Sequence, residues 1–263
     1  MSDYNCLILT IENDIARITL NRPSAANALN IEMARELVDV ANRLDNTQGL
    51  RAVLITGAGK FFCAGGDVAS FAEAGDDVGL LVRDITMNLH AAISRMSRMK
   101  APVVVAVNGA AAGAGFSLAI AGDLVLASES ASFTMAYTGI GASPDGSSSF
   151  YLPRLVGLRR AQELMFTNRR LKGAEAAEWG LITRAVADDQ LADEAEALVQ
   201  QIANGPIAAH GAIKDLLRGT YSESLETQME LETRGIAGAL STPEGREGVI
   251  AFTEKRKPDF RNQ

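Results

Sequence analysis

The chain has 263 residues, 47% of them hydrophobic and 5% aromatic, and carries a formal charge of −7. That length and apolar content suit a sizeable core in one α/β domain with an appendage, rather than two domains. The acidic balance argues against non-specific binding to nucleic acid or to an anionic membrane, and no apolar run approaches membrane-spanning length.

Cys6 and Cys63 lie far apart and match neither metal-ligand nor redox spacing, so reduced thiols and no metal site are expected. The segment MSDYNCLILT lacks a basic stretch followed by an apolar one, and the expectation is a soluble, cytoplasmic protein.

In chain order, residues 7–11 and 15–20 are β-rich runs separated by Glu12, Asn13 and Asp14, which predicts a hairpin. Asn30 is placed to cap a helix over residues 31–45, with Met33, Leu37, Val40 and Leu44 on one face. Residues 52–56 read as a buried strand running into the glycine-rich GAGKFFCAGGD, residues 57–67. Leu81, Ile85, Leu89, Ile93 and Met96 mark the next helix.

Pro102 then opens VVVAV, residues 103–107, a second buried strand that stops at Asn108-Gly109. AAAGAG, residues 110–115, follows with almost no side chains and leads into a helix over about residues 114–121. A glycine-rich turn from a strand into a helix N-terminus leaves backbone N–H groups free to meet an anion. Residues 124–127 and the neighbourhood of Phe133 are further extended pieces. From residue 152 the pattern is helical, over 159–166, 174–179, 189–203, 207–217 and 223–240, with one strand at 182–186.

Three chemistries fail on these residues. Gly113-Ala114-Gly115 lacks the third glycine of a dinucleotide fingerprint, since position 118 is Leu118. Ser117 in GFSLA lacks the second glycine of a nucleophile elbow, and only His90 and His210 are available as bases. Metal chemistry lacks ligands at the required spacing. What remains is two strand-then-glycine turns, each offering a backbone N–H to one developing oxyanion, as activation of an acyl group requires.

FCAGGD (residues 62–67) and VNGAAAGAG (residues 107–115) resemble the two oxyanion-hole segments of the enoyl-CoA hydratase/isomerase, or crotonase, superfamily. NRPSAANALN (21–30), AEWGLITRAV (177–186) and REGVIAFTEKRKPDF (246–260) extend the resemblance over nearly the whole chain. It implies a spiral of ββα units over residues 1–200. A helical C-terminal region, 201–263, would cover the site and build a homotrimer or homohexamer. It also implies an acyl-CoA thioester as substrate, with coenzyme A arriving as part of that substrate and no permanently bound cofactor.

By matched position, the oxyanion hole would be the N–H groups of Gly66 and Ala114. Gly113, Asp67 and Val68, beside these turns, would contact the CoA thioester, and Ala26, Ala28 and Ala64 fall where the family lines its CoA groove with backbone. Arg22 and Lys255 read either as contacts to CoA or as solvated surface charges. Phe252 matches a tail position that often meets CoA, sometimes from a neighbouring subunit. Hydratases of this family use two glutamates, and the matching positions here hold Ser117 and Tyr137, neither of which is a carboxylate base.

The carboxylate in reach is Asp145, where isomerases related to the phenylacetate-pathway enzyme carry an aspartate. The resemblance therefore favours an isomerase that moves a double bond, with a turn-forming aspartate as the bland alternative. His90, Tyr137 and Asp145 together also resemble the 4-chlorobenzoyl-CoA dehalogenase branch, in which the aspartate is a nucleophile and a histidine activates water. For His90 a packing or capping role competes with catalysis. Residual hydratase activity, or a catalytically weak CoA-thioester binder, are the remaining alternatives.

Overall fold

The computed structural model describes residues 4–263. Strands β1 (Leu7–Glu12) and β2 (Ile15–Leu20) form the expected antiparallel hairpin. Its turn residues Asn13 and Asp14 both have positive φ, 51° and 60°, which matches the twist of the flanking strands. Helix α1 (Ile31–Asp45) starts where Asn30 accepts from the Met33 N–H at 2.9 Å, and it buries Met33, Leu37, Val40 and Leu44.

The chain next coils three times between two sheets. β3 (Ala52–Gly57) joins a large sheet, β4 (Phe61–Cys63) a small one, and α2 (Val68–Ala74) with α3 (Val78–Arg98) closes the turn. β5 (Val103–Val107), β6 (Ala110–Ala112) and α4 (Ala114–Ile120) repeat the pattern. β7 (Leu124–Ser128) and β8 (Ser132–Thr134) follow, then α5 (Ser148–Val156) and α6 (Leu158–Thr167). β9 (Leu171–Lys172) ends the small sheet; α7 (Gly173–Glu178) and β10 (Arg184–Val186), the last strand of the large sheet, come after it.

The large sheet has the order β1-β2-β3-β5-β7-β10 and is parallel beyond the hairpin; the small one has the order β4-β6-β8-β9. Both faces of the large sheet are covered, which is why VVVAV is apolar throughout instead of alternating. Val103, Val105 and Val107 face the main core with α1 and α3, whereas Val104 and Ala106 face α8 (Leu191–Ala203). Gly109 lies where the chain crosses between sheets: a Cβ there would sit 2.0 Å from the Lys60 carbonyl oxygen.

α9 (Ile207–Gly219), α10 (Leu225–Leu240) and α11 (Pro243–Thr253) complete the chain. Two buried cations fasten them to the core. Arg51 pairs with Glu244 at 2.8 Å and donates to the Ala203, Gly205 and Phe260 carbonyls. Lys214 pairs with Asp123 at 2.7 Å and donates to the carbonyls of Met96 and Ala101. These helices leave Leu217, Leu225, Ile236 and Phe252 exposed, and Tyr221, between α9 and α10, is exposed as well.

Several boundaries differ from the sequence reading. The strand expected at 182–186 begins at Arg184, because the Leu181 and Ile182 N–H groups turn back to the Ala176 carbonyl and close α7. The helix containing Leu81 starts at Val78, and α2, α5 and α11 are helices beyond those the sequence predicts. Among the described residues no helix is long and apolar enough to cross a membrane.

Candidate active site

Two glycine turns meet at the ends of β4 and β6. Gly65 has φ +109° and Gly113 φ +49°, conformations that strain any L side chain. Their backbones touch, so that a Cβ on Gly113 would lie 3.5 Å from the Gly65 Cα. The loop before α1 stitches the first turn in place: Leu29 N–H donates to Gly65 O at 2.7 Å, and Asp67 N–H to Leu29 O at 2.9 Å. Ala64 N–H likewise donates to Ala26 O at 3.0 Å.

The Gly66 N–H, between these bonds, meets no acceptor among the described residues. Nor does the N–H of Ala114, the first residue of α4, where a helix has no internal partner to offer. Gly66 and Ala114 both line one cavity of about 720 Å³, whose apolar wall includes Phe71, Val82 and Ile85.

Tyr137 and Asp145 line the same cavity, delivered by the segment between β8 and α5. Tyr137 Oη donates to Asp145 Oδ1 at 2.5 Å and lies 2.9 Å from Ser117 Oγ on α4. Burial, reinforced by the Asp145 charge, pushes the Tyr137 phenol well above its ordinary value, so it stays a proton donor. Asp145 Oδ2 has no hydrogen-bond donor among the described residues and lies 3.9 Å from His90 Nε2. That ring nitrogen accepts the Gly146 N–H at 3.1 Å, so in this arrangement it carries no proton. The site thus unites two free N–H donors with one half-buried carboxylate whose second oxygen is open.

Residues 10–263 match the family described as Enoyl-CoA hydratase/isomerase. The chain belongs to the enoyl-CoA hydratase/isomerase family. It is 37% identical over 254 residues to 1,2-epoxyphenylacetyl-CoA isomerase of Escherichia coli (strain K12), covering 95% of this chain and 96% of the relative. To 4-chlorobenzoyl coenzyme A dehalogenase-2 of Arthrobacter sp it is 32% identical over 242 residues, covering 92% and 88%. The solved structure of a putative enoyl-CoA hydratase/isomerase from Mycobacterium abscessus superposes with a TM-score of 0.92 at 33% identity, covering 97% of this chain and 98% of that one. The spiral of sheets is the crotonase fold.

In this hydratase/isomerase family member, Ala64, Gly66, Val68, Gly113, Ala114, Tyr137 and Asp145 all border the cavity. His90 reaches it only through Asp145 and Gly146. Arg22 does not stand free: its guanidinium donates to Ala28 O at 2.5 Å and pairs with Asp67 at 3.0 Å, clamping the loop before α1 to the first turn. Asp67 also caps α2, accepting from Ser70 N–H at 3.4 Å. Phe252 and Lys255 do not border the cavity within one chain, and Phe252 is 85% exposed.

One residue that shapes the site, Asn27, is not singled out by the sequence motifs. Asn27 is fully buried at φ +54°; its side chain accepts from Arg22 N–H and donates to the Ala58 and Phe61 carbonyls, which shapes the loop carrying Ala26 and Ala28. Cys6 lies with Glu32 and Glu36, their potential ligand atoms within 4.8 Å of one another, a grouping invisible in the spacing. Those glutamates already accept from Asn5 and from the Cys6 N–H.

Proposed function

We propose that the enzyme moves a double bond in an enoyl-CoA thioester through an enolate, with Asp145 as the single proton carrier. The observation that carries this reading is the pairing, in one cavity, of the unpartnered Gly66 and Ala114 N–H groups with the open Oδ2 of Asp145. A thioester oxygen seated between the two N–H groups gains most as it becomes an oxyanion, and each such donor is worth about 3 kcal/mol in comparable sites. Asp145 Oδ2 takes a proton from the carbon next to the thioester of a 3-enoyl substrate. The electron pair spreads over the C–C–O system and the remaining double bond. Asp145 then returns the same proton to the far end, giving the 2-enoyl product with nothing gained or lost.

Hydration would ask for a second group to handle water, and the two facing positions hold the neutral hydroxyls of Ser117 and Tyr137. The apolar wall of the cavity suits a hydrocarbon acyl group. Coenzyme A enters as part of the substrate, along the backbone of Ala26, Ala28 and Ala64. Arg22 would hold that groove in shape more than meet phosphates, given its bonds to Ala28 and Asp67. The exposed apolar side chains of α9, α10 and α11 suit burial in a homotrimer or homohexamer, where residues 201–263 of a neighbour would bring Phe252 and Lys255 to the CoA.

His90 beside Asp145 supports a second reading, in which Asp145 Oδ2 attacks the chlorine-bearing ring carbon of 4-chlorobenzoyl-CoA and chloride departs. Its weakness is that His90 Nε2 is occupied by Gly146. The test is incubation with a 3-enoyl-CoA in deuterated water, with product and label followed by mass spectrometry for wild type and Asp145→Asn. Conversion to the 2-enoyl product that collapses in the variant is expected. No conversion by wild type sinks the isomerase, and chloride release from 4-chlorobenzoyl-CoA then decides for the second reading.

A further inference from the structure

Ser117 is fully buried on α4, and its hydroxyl has two acceptors within reach. One is Tyr137 Oη at 2.9 Å; the other is the Gly113 carbonyl oxygen at 3.2 Å, which also accepts the Ser117 N–H at 3.0 Å. A serine hydroxyl carries one proton and can serve only one of the two at a time. Each acceptor belongs to a different half of the chemistry. Tyr137 donates to Asp145, so a charged Asp145 draws the phenol proton toward itself and leaves the phenol oxygen electron-rich. Gly113 C=O and Ala114 N–H are the two ends of one peptide group, so charge gathering at the Ala114 N–H makes the Gly113 oxygen the better acceptor.

We infer that Ser117 is a positioning residue whose hydroxyl turns between Tyr137 and the Gly113–Ala114 peptide, following the negative charge as it passes from Asp145 to the thioester oxygen. This rests on the enolate reading above and adds a part that reading does not require. With Asp145 ionised, the order is Ser117 to Tyr137 to Asp145. Once Asp145 holds the substrate proton, its pull on Tyr137 falls, and the Ser117 hydroxyl turns to Gly113 O. It there polarises the peptide whose N–H holds the enolate. No proton leaves the network in this step; a single O–H bond rotates. Both charge states are served by a group that touches no substrate atom.

The experiment compares wild type and Ser117→Ala in isomerisation kinetics and in binding of acetoacetyl-CoA, whose enolate has its own ultraviolet band. A saturated acyl-CoA is the control. Ser117→Ala keeps the Cβ that Gly146 packs against, so it removes the hydroxyl alone. Loss of one such hydrogen bond predicts kcat lowered about tenfold with KM held within about twofold, and an enolate band weakened by a similar factor. Affinity for the saturated acyl-CoA should not change. Wild-type kcat and a wild-type enolate band in Ser117→Ala would overturn the inference. So would a joint loss of kcat and saturated acyl-CoA affinity, the mark of a packing role only. A wild-type protein that turns over no 3-enoyl-CoA and forms no enolate would bring down the inference together with the isomerase reading, and is distinct from both.

Discussion

Gly115→Ala is a severe test of the idea that the two glycine turns form one rigid unit. Gly115 sits in the first turn of α4 with ordinary helical backbone, so an alanine there meets no conformational penalty. Space is the obstacle: its Cβ would lie 2.2 Å from the Cys63 carbonyl oxygen and 2.8 Å from the Cys63 carbonyl carbon. Restoring even 3.0 Å from 2.2 Å parts α4 from β4 by about 0.8 Å. Neither backbone can yield as a flexible side chain would. Overpacking of this kind costs about 1–3 kcal/mol. It also moves the Ala114 N–H away from Gly66 by a distance that, in well-oriented sites, lowers rate by about 10²-fold. Urea denaturation reads the first effect, and the rate of conversion of a 3-enoyl-CoA to the 2-enoyl product reads the second. A variant with wild-type stability and wild-type kcat would refute both the packing and the claim that the gap between the two N–H groups matters.

Three further outcomes are expected. Lys214→Met leaves Asp123 and the Met96 and Ala101 carbonyls without their shared cation, and should lower unfolding free energy by about 2–4 kcal/mol in urea, with α9 exchanging its amide hydrogens faster. The raised value of the Tyr137 phenol means the fold favours its neutral form, so this residue lends stability below about pH 10 that is lost as pH climbs toward the folded value. Between about pH 9 and 11 the Tm of wild type should therefore fall more steeply than that of Tyr137→Phe. Burial pushes the Cys63 thiol up to about 11 and, with Glu36 and Glu32 nearby, the Cys6 thiol to about 12. Neither should react with a thiolate-selective disulfide reagent at pH 8 until the protein is unfolded, and rapid labelling of the native protein would contradict this burial.

Local order was legible wherever one short stretch carries its own cause. The hairpin follows from two β-rich runs around Asn13-Asp14, α1 from Asn30 and a four-residue apolar face, and β5 from an unbroken VVVAV between covered faces. The two glycine turns could also be read, since only residues without side chains tolerate the φ values and close backbones found there. The small sheet could not. β6 is Ala-Ala-Ala, with no strand propensity of its own, and it is extended because the spiral lays it between β4 and β8. α5 begins at residues whose glycine and serine content reads as loop, and as a helix it packs Leu152 and Val156 into the core.

What the sequence determined by itself was the inventory: an aspartate at 145, hydroxyls at 117 and 137, and two glycine turns able to leave an N–H free. Tertiary structure alone decided how these combine. Ser117, Tyr137 and Asp145 are separated by 20 and 8 positions, and no periodicity joins them. They become one hydrogen-bonded line only because the fold brings α4 against the segment after β8. The same holds for Arg22, whose charge in the sequence suits a phosphate and whose folded position is a clamp between Ala28 and Asp67. A side chain's chemistry is local and can be read in order; its partner is set by the path of the whole chain.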